Sequence, residues 1–176
     1  LERLFYRAWF DEAIRGEVKL YVHAALVPLL QSRVADYPNV VAEGGVNFWD
    51  AYRLVAVSRG FWHRGLWFAV FPTRHHAPNT SFGLALAGCF AWTGDTRPIP
   101  EMLAAHARSN TLIAHDCTLH GNASHTGVED LEREYPDALR ARMLLYHYGS
   151  ADEGRALSAR GYRIAISGER IALASP

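Results

Sequence analysis

His75-His76-Ala77-Pro78-Asn79-Thr80-Ser81-Phe82-Gly83, Thr93-Gly94-Asp95-Thr96, Ile113-Ala114-His115-Asp116-Cys117, Ser124-His125-Thr126 and Leu144-Leu145-Tyr146-His147-Tyr148 decide the reading of this chain. Each cluster sits where an apolar run gives way to polar residues. A strand ending there would deliver its side chain to one end of a sheet. Repeated delivery of His or Asp to such places points to a metal site, because imidazole and carboxylate are the ligands that divalent cations take.

The segments around these clusters predict the frame that would carry them. Residues 53–57, 66–71, 81–86 and 89–92 read as strands, with residues 58–65 as a turn, Pro72 as a stop and Gly88 as a hairpin turn. After Asp95 the pattern changes. Pro98, Pro100 and Glu101 open a helix running to about residue 109, and residues 111–114 form a strand. A helix over 126–135 comes next, with Thr126 as N-cap and Glu129 at capping-box spacing. Asp137 starts a short helix, residues 142–146 form a strand, and residues 151–159 form a helix. Strands over 161–166 and 170–173 close the chain. Hairpins first, then strands alternating with helices, predict an α/β (α+β) fold: a mixed sheet with helices packed on it.

The first third is plainer. Leu1, Leu4, Phe5, Ala8, Trp9 and Ile14 mark one face of a helix over 1–14. A strand over 19–22, a helix over 24–34 with Pro28 in its first turn, and a loop over 35–50 with Pro38 and Gly44-Gly45 come after it. His23, between strand and helix, reads as a cap. The helical period begins at Leu1, so the chain is expected to open inside a helix, with a preceding part upstream.

The chain has 176 residues, of which 49% are hydrophobic and 20% charged, and this suits one packed domain over 1–176. Lys plus Arg equals Asp plus Glu, so bulk charge does not drive binding to nucleic acid or a membrane. Cys89 and Cys117 form no Cys-x-x-Cys pair, which excludes a thiolate zinc motif and fits a reducing, cytoplasmic compartment. No apolar run is long enough to span a bilayer.

Taken singly, the site residues have ordinary readings. Asp95 could cap a turn, and Gly94 before it gives the backbone room for close approach. A carboxylate in that place can also bridge two divalent cations. His147 ends a buried run, as either a core histidine or a ligand.

Taken together and in order, the clusters resemble the metallo-β-lactamase fold superfamily. A histidine precedes a Ser-Phe-Gly strand, a Gly-Asp-Thr comes after it, and a Leu-x-Tyr-His comes late. The resemblance implies an αββα sandwich and metal-dependent hydrolysis by an activated hydroxide. It implies His76, or failing it His75, as ligand of one metal, Asp95 as the bridge and His147 as ligand of the other. The middle section is similar to the phosphodiesterase and ribonuclease Z branch, with His115-Asp116-Cys117-Thr118 standing where that branch has His-Glu-Ala-Thr. That likeness implies His125 as proton donor to the leaving group and Asp116 as its orienting partner. Asp116 is one methylene shorter than the branch's Glu.

One departure is larger. The superfamily's His-x-His-x-Asp-His string does not occur, and none of the nine histidines makes that spacing. The chain is therefore expected to correspond to the later two-thirds of such a domain, without its N-terminal portion. The implied cofactors are two divalent ions, zinc first, with manganese or iron also suited to N and O ligands. The implied substrate is a small-molecule or nucleotide phosphodiester or ester, with tRNA open and Trp49, Trp62 or Trp67 available for base stacking, though Trp67 is expected in the core. Oligomeric state stays open, a homodimer included. The competing reading is a non-catalytic, metal-poor relative acting as a binding or assembly subunit. A third is a plain α/β binding module.

Overall fold

A computed structural model describes residues 1–36 and 46–174. The chain divides into two compact units, Leu1–Ser58 and Arg59–Pro176, each with its own apolar core.

In the first unit, α1 (Glu2–Phe10) is shorter than the apolar period suggests. Asp11 takes an extended conformation and ends it, and Ile14 continues into a turn. β1 (Val18–His23) pairs in parallel with β2 (Tyr52–Val57). His23 does cap the 3₁₀ turn after it: its Nδ1 accepts the Ala25 N–H at 3.2 Å. The expected helix over 24–34 is broken into that 3₁₀ turn, a four-residue α2 (Val27–Leu30) with Pro28 at its start, and a wider π turn over Gln31–Ala35. The middle of the expected loop, with Pro38 and Gly44-Gly45, lies outside the described residues. Phe5, Ala8, Phe48, Ala51 and Tyr52 form this unit's core. Trp49 joins it, with its indole N–H donated to Gln31 at 2.6 Å.

The second unit is built on a seven-stranded sheet in sequential order. β3 (Gly60–His63), β4 (Leu66–Pro72), β5 (Phe82–Leu86) and β6 (Phe90–Trp92) run antiparallel. From β6 onward, β7 (Leu112–Asp116), β8 (Met143–Tyr146) and β9 (Arg163–Ile164) run parallel. The switch falls where hairpin spacing gives way to helical connections, as the sequence predicts. Between the parallel strands come α3 (Pro100–His106), α4 (Val128–Glu134), α5 (Asp137–Arg140) and α6 (Ala151–Ala159).

Three expectations fail here for local reasons. The turn over 58–65 contains β3, because only Arg64 and Gly65, both at positive φ, are needed to reverse the chain. Residues 170–173 form no strand. Trp67 is not in the core: it stands 40% exposed beside Trp62, 66% exposed, with ring centroids 5.5 Å apart.

The core arises from strand alternation. Ala85, Ala91, Ile113 and Met143 are cross-strand partners on one face, joined by Phe71 and Leu145. Leu103, Leu131, Leu139 and Leu157 of the four helices pack against that face. Leu103, Leu131 and Leu157 are fully buried, and each contributes about 1.5–3 kcal/mol relative to exposure. Gly83 keeps the layers tight; a Cβ there would sit 2.5 Å from the Phe71 ring. Among the described residues no helix is long and apolar enough to cross a membrane.

Candidate active site

The sheet topology brings the sequence clusters to one edge. β4 ends just before Thr73, β6 just before Thr93-Gly94-Asp95, β7 on Asp116, and β8 just before His147. Because β4 and β5 are antiparallel and β6 to β8 parallel, these ends all open on the same side. Ligands collect at such carboxyl ends of strands. The loop between β7 and α4 adds His125 from above.

Asp116 is the hub. It is wholly buried. Its backbone N–H is donated to Thr93 Oγ1 at 3.2 Å, and its Oδ2 accepts the Thr96 N–H at 2.8 Å. The same oxygen lies 2.8 Å from His125 Nδ1. With the carboxylate as acceptor, His125 carries the Nδ1 proton and leaves Nε2 available to another partner. Burial pushes the Asp116 carboxyl above its ordinary pKa, while the Thr96 N–H and His125 pull it back. Its second oxygen, Oδ1, is buried with no hydrogen-bond partner and stands 3.7 Å from His147 Nδ1.

His147 closes the other side. Its Nε2 is 3.5 Å from Asp95 Oδ2, and its ring stacks on that of His125 with centroids 4.6 Å apart. His147 has φ of +72°, rare for a non-glycine residue and costly enough that its surroundings must hold it. Gly94, at φ of +63°, gives the turn that lifts Asp95 out of the strand. Tyr146 Oη donates to the Gly94 carbonyl at 2.5 Å and pins that turn.

The histidine pair separates. The His75 ring lies 4.9 Å from that of His125, and its Nδ1 donates to the Ser124 carbonyl at 3.2 Å. His75, Asp95 and His125 each offer a ligand atom within 4.8 Å of the others; so do Asp116, His125 and His147. His76 joins neither group. At φ of +53° it is exposed, with Nδ1 3.2 Å from the Ser124 hydroxyl. The structure therefore brings together His75, Asp95, Asp116, His125 and His147, and leaves His76 at the rim. His120 is exposed in its loop.

The donor set is nitrogen and oxygen on converging strand ends, and a buried carboxylate oxygen still lacks a partner. That chemistry fits divalent cations, with His75, Asp95 and His125 as one candidate ligand group and Asp116, His125 and His147 as the other.

Sequence reasoning left several supporting residues unassigned. Thr96 stands inside the Gly-Asp-Thr string, yet its contribution is a backbone N–H, which no side-chain pattern announces. Thr126 does not cap α4. Its hydroxyl donates to the Thr96 carbonyl at 2.7 Å, and the N-cap is Gly127, whose N–H is held by Asp130 at 2.9 Å. Asn122 Oδ1 accepts the backbone N–H groups of Ser124 and His125, fixing the loop. His115, wholly buried, donates Nδ1–H to the Asp116 carbonyl at 2.6 Å and accepts the Tyr135 hydroxyl proton at 2.8 Å. Burial pushes its pKa down to about 4, so it is neutral near pH 7.

A family model described as "Anti-Pycsar protein Apyc1" matches residues 1–169. The crystal structure of a new diphosphatase from the PhnP family superposes with a TM-score of 0.64 at 14% identity. That match covers 88% of this chain and 58% of the diphosphatase, so the chain spans less than two-thirds of its length. The metallo-beta-lactamase fold protein YhfI from Bacillus subtilis also gives 0.64 at 14% identity, over 95% of this chain and 69% of that one. No curated protein matches in sequence. The fold is that of the metallo-β-lactamases, as the order of the clusters leads one to expect.

Proposed function

Because this chain belongs to the anti-Pycsar Apyc1 family, and its strand ends converge on an Asp–His pair beside a ligand cluster, we propose that it is a metal-dependent phosphodiester hydrolase. The observation that carries the reading is Asp116 Oδ2 at 2.8 Å from His125 Nδ1, within a set that also holds His75, Asp95 and His147. Divalent cations bound by His75, Asp95 and His147 would supply Lewis-acid charge to the attacking water and the phosphoryl oxygens. The chain's own residues do the rest. Asp116 accepts the His125 Nδ1–H and so orients and stabilises the doubly protonated ring, whose Nε2–H is given to the leaving alkoxide. Thr96, Thr93 and His115 keep Asp116 from turning.

Two features favour a small nucleotide diester over a polyanion such as tRNA. Net charge is zero. A cavity of about 260 Å³ is lined by Arg74, Arg97 and Asn122, which adjoin His75, follow Asp95 and fix His125 respectively, and also by Asp130 and Glu134, which are paired with Arg133. The Arg97 guanidinium has no ion pair among the described residues and suits an anionic substrate group. The diphosphatase similarity agrees with phosphoryl chemistry.

The test is twofold. Elemental analysis of the purified chain should show bound zinc, manganese or iron. The protein should hydrolyse a dinucleoside phosphodiester and bis-p-nitrophenyl phosphate. A chain that takes up no divalent metal and cleaves neither compound would leave the binding-subunit reading instead.

A further inference from the structure

The opposite edge of the seven-stranded sheet carries a second polar cavity. It lies at the starts of the parallel strands, where Leu112 opens β7, Arg142 precedes β8 and Arg163 opens β9. β7 alone separates it from Asp116 by about 13 Å at 3.3 Å per residue. Its volume is about 340 Å³, within the range of small-ligand pockets.

Its lining is unusual in charge. Arg142 and Arg163 both face it, and no Asp or Glu does among the described residues. Arg142 spends its N–H groups on the carbonyls of Ala107, Arg108, Thr111 and Ala138, which neutralise no charge. Arg163 is exposed, and its guanidinium has no hydrogen bond or ion pair among the described residues. By contrast, Arg74 and Arg133, which line the cavity beside the candidate active site, each meet a carboxylate. Thr111, wholly buried on the same wall as Arg142, has a hydroxyl with no partner. Leu112, Ala141 and Leu173 supply an apolar side. Two uncompensated guanidiniums, an unused hydroxyl and an apolar wall together match one ligand chemistry.

From this juxtaposition we propose a second, non-catalytic binding site for a small organic anion, a phosphate monoester or carboxylate with a compact apolar body. Arg163 is the grip, Arg142 fixes the cavity and adds its charge, and Leu112 and Leu173 receive the apolar part. The site does not depend on the hydrolase reading.

Isothermal titration with phenyl phosphate, benzoate and neutral benzyl alcohol tests it, with amide spectra to locate binding. At least one of the two anions is expected to bind and to shift the Thr111, Leu112 and Leu173 amides, with benzyl alcohol inert; which anion binds names the head group. Arg163→Gln, at an exposed and unpartnered side chain, should keep the fold and weaken binding roughly ten-fold or more. His125→Ala should bind unchanged, which separates this cavity from the candidate active site. Equal binding of benzyl alcohol, no dependence on Arg163, loss of binding in His125→Ala, or no binding of either anion at millimolar concentration would overturn the proposal.

Discussion

Asp116 Oδ2 accepts the Nδ1–H of His125 at 2.8 Å from a side chain with no exposed surface. Its other oxygen faces His147 Nδ1 at 3.7 Å. One carboxylate therefore addresses two histidines with different tasks. The residue acts by position: it contacts no open solvent and reaches substrate only through the imidazoles. Asp116→Asn keeps the size but puts an amide N–H₂ where one acceptor stood. That N–H₂ meets either the Thr96 N–H and His125 Nδ1–H or the Nδ1 of His147. The expected result is a kcat on dinucleoside phosphodiesters lower by roughly 10²-fold, with KM little changed. Steady-state kinetics on wild type and variant decide it; unchanged kcat would remove Asp116 from the machinery.

Leaving-group dependence isolates His125. An alkoxide needs a proton as it departs, whereas p-nitrophenolate is stable without one. His125→Ala should lower kcat on a dinucleoside phosphodiester by roughly 10²–10⁴-fold and lower it far less on bis-p-nitrophenyl phosphate. Equal losses on both substrates would assign His125 to the ligand set instead, since its ring also lies within 4.8 Å of ligand atoms on His75 and Asp95.

The adjacent histidines should part in metal content. His75 stands in the ligand group, while His76, exposed and at positive φ, does not. His75→Ala is expected to lose bound divalent metal by elemental analysis, and His76→Ala to keep it. The opposite result would restore the ligand choice that the sequence alone suggests.

That choice shows what the sequence could and could not carry. Strand-end placement of Asp95, Asp116 and His147 is readable, because apolar runs end at Trp92, Ala114 and Tyr146, one to three residues before them. The antiparallel-to-parallel change was readable from spacing. Which of two neighbouring histidines turns inward was not, since it rests on a backbone φ at His76 that residue type does not set. The expected Thr126 cap fails for a related reason. Asp130 sits at capping distance from Gly127 just as Glu129 does from Thr126, and only the tertiary bond from Thr126 to Thr96 decides between them. Trp67 alternates with apolar neighbours as a core residue would, yet it lies near the start of β4, against Trp62, where it stays partly open.

Packing predicts one sharp intolerance. A Cβ on Gly83 would meet the Phe71 ring at 2.5 Å and the Trp92 carbonyl oxygen at 2.7 Å. Phe71 is itself fully buried and stacks on His106 with centroids 4.8 Å apart, so the ring has little room to retreat. Gly83→Ala should cost about 1–3 kcal/mol, seen as a lower urea midpoint at unchanged slope. A midpoint equal to wild type would mean that β5 shifts freely.

Acid stability should depend on His115. Burial lowers its pKa to about 4 in the folded chain, from 6.5 when unfolded. The unfolded chain therefore binds the extra proton first as pH falls. Stability from the neutral imidazole is complete above about pH 6.5 and declines between 6.5 and 4, by about 3 kcal/mol in all. Asp116 works in the opposite sense, because burial raises its pKa and protonation relieves an unpartnered oxygen. Comparison with His115→Gln separates the two: the amide can donate and accept like the neutral ring but cannot take a proton. Urea unfolding at pH 7 and pH 4.5 should show wild type losing ground to the variant as pH falls, and parallel curves would place the acid sensitivity elsewhere.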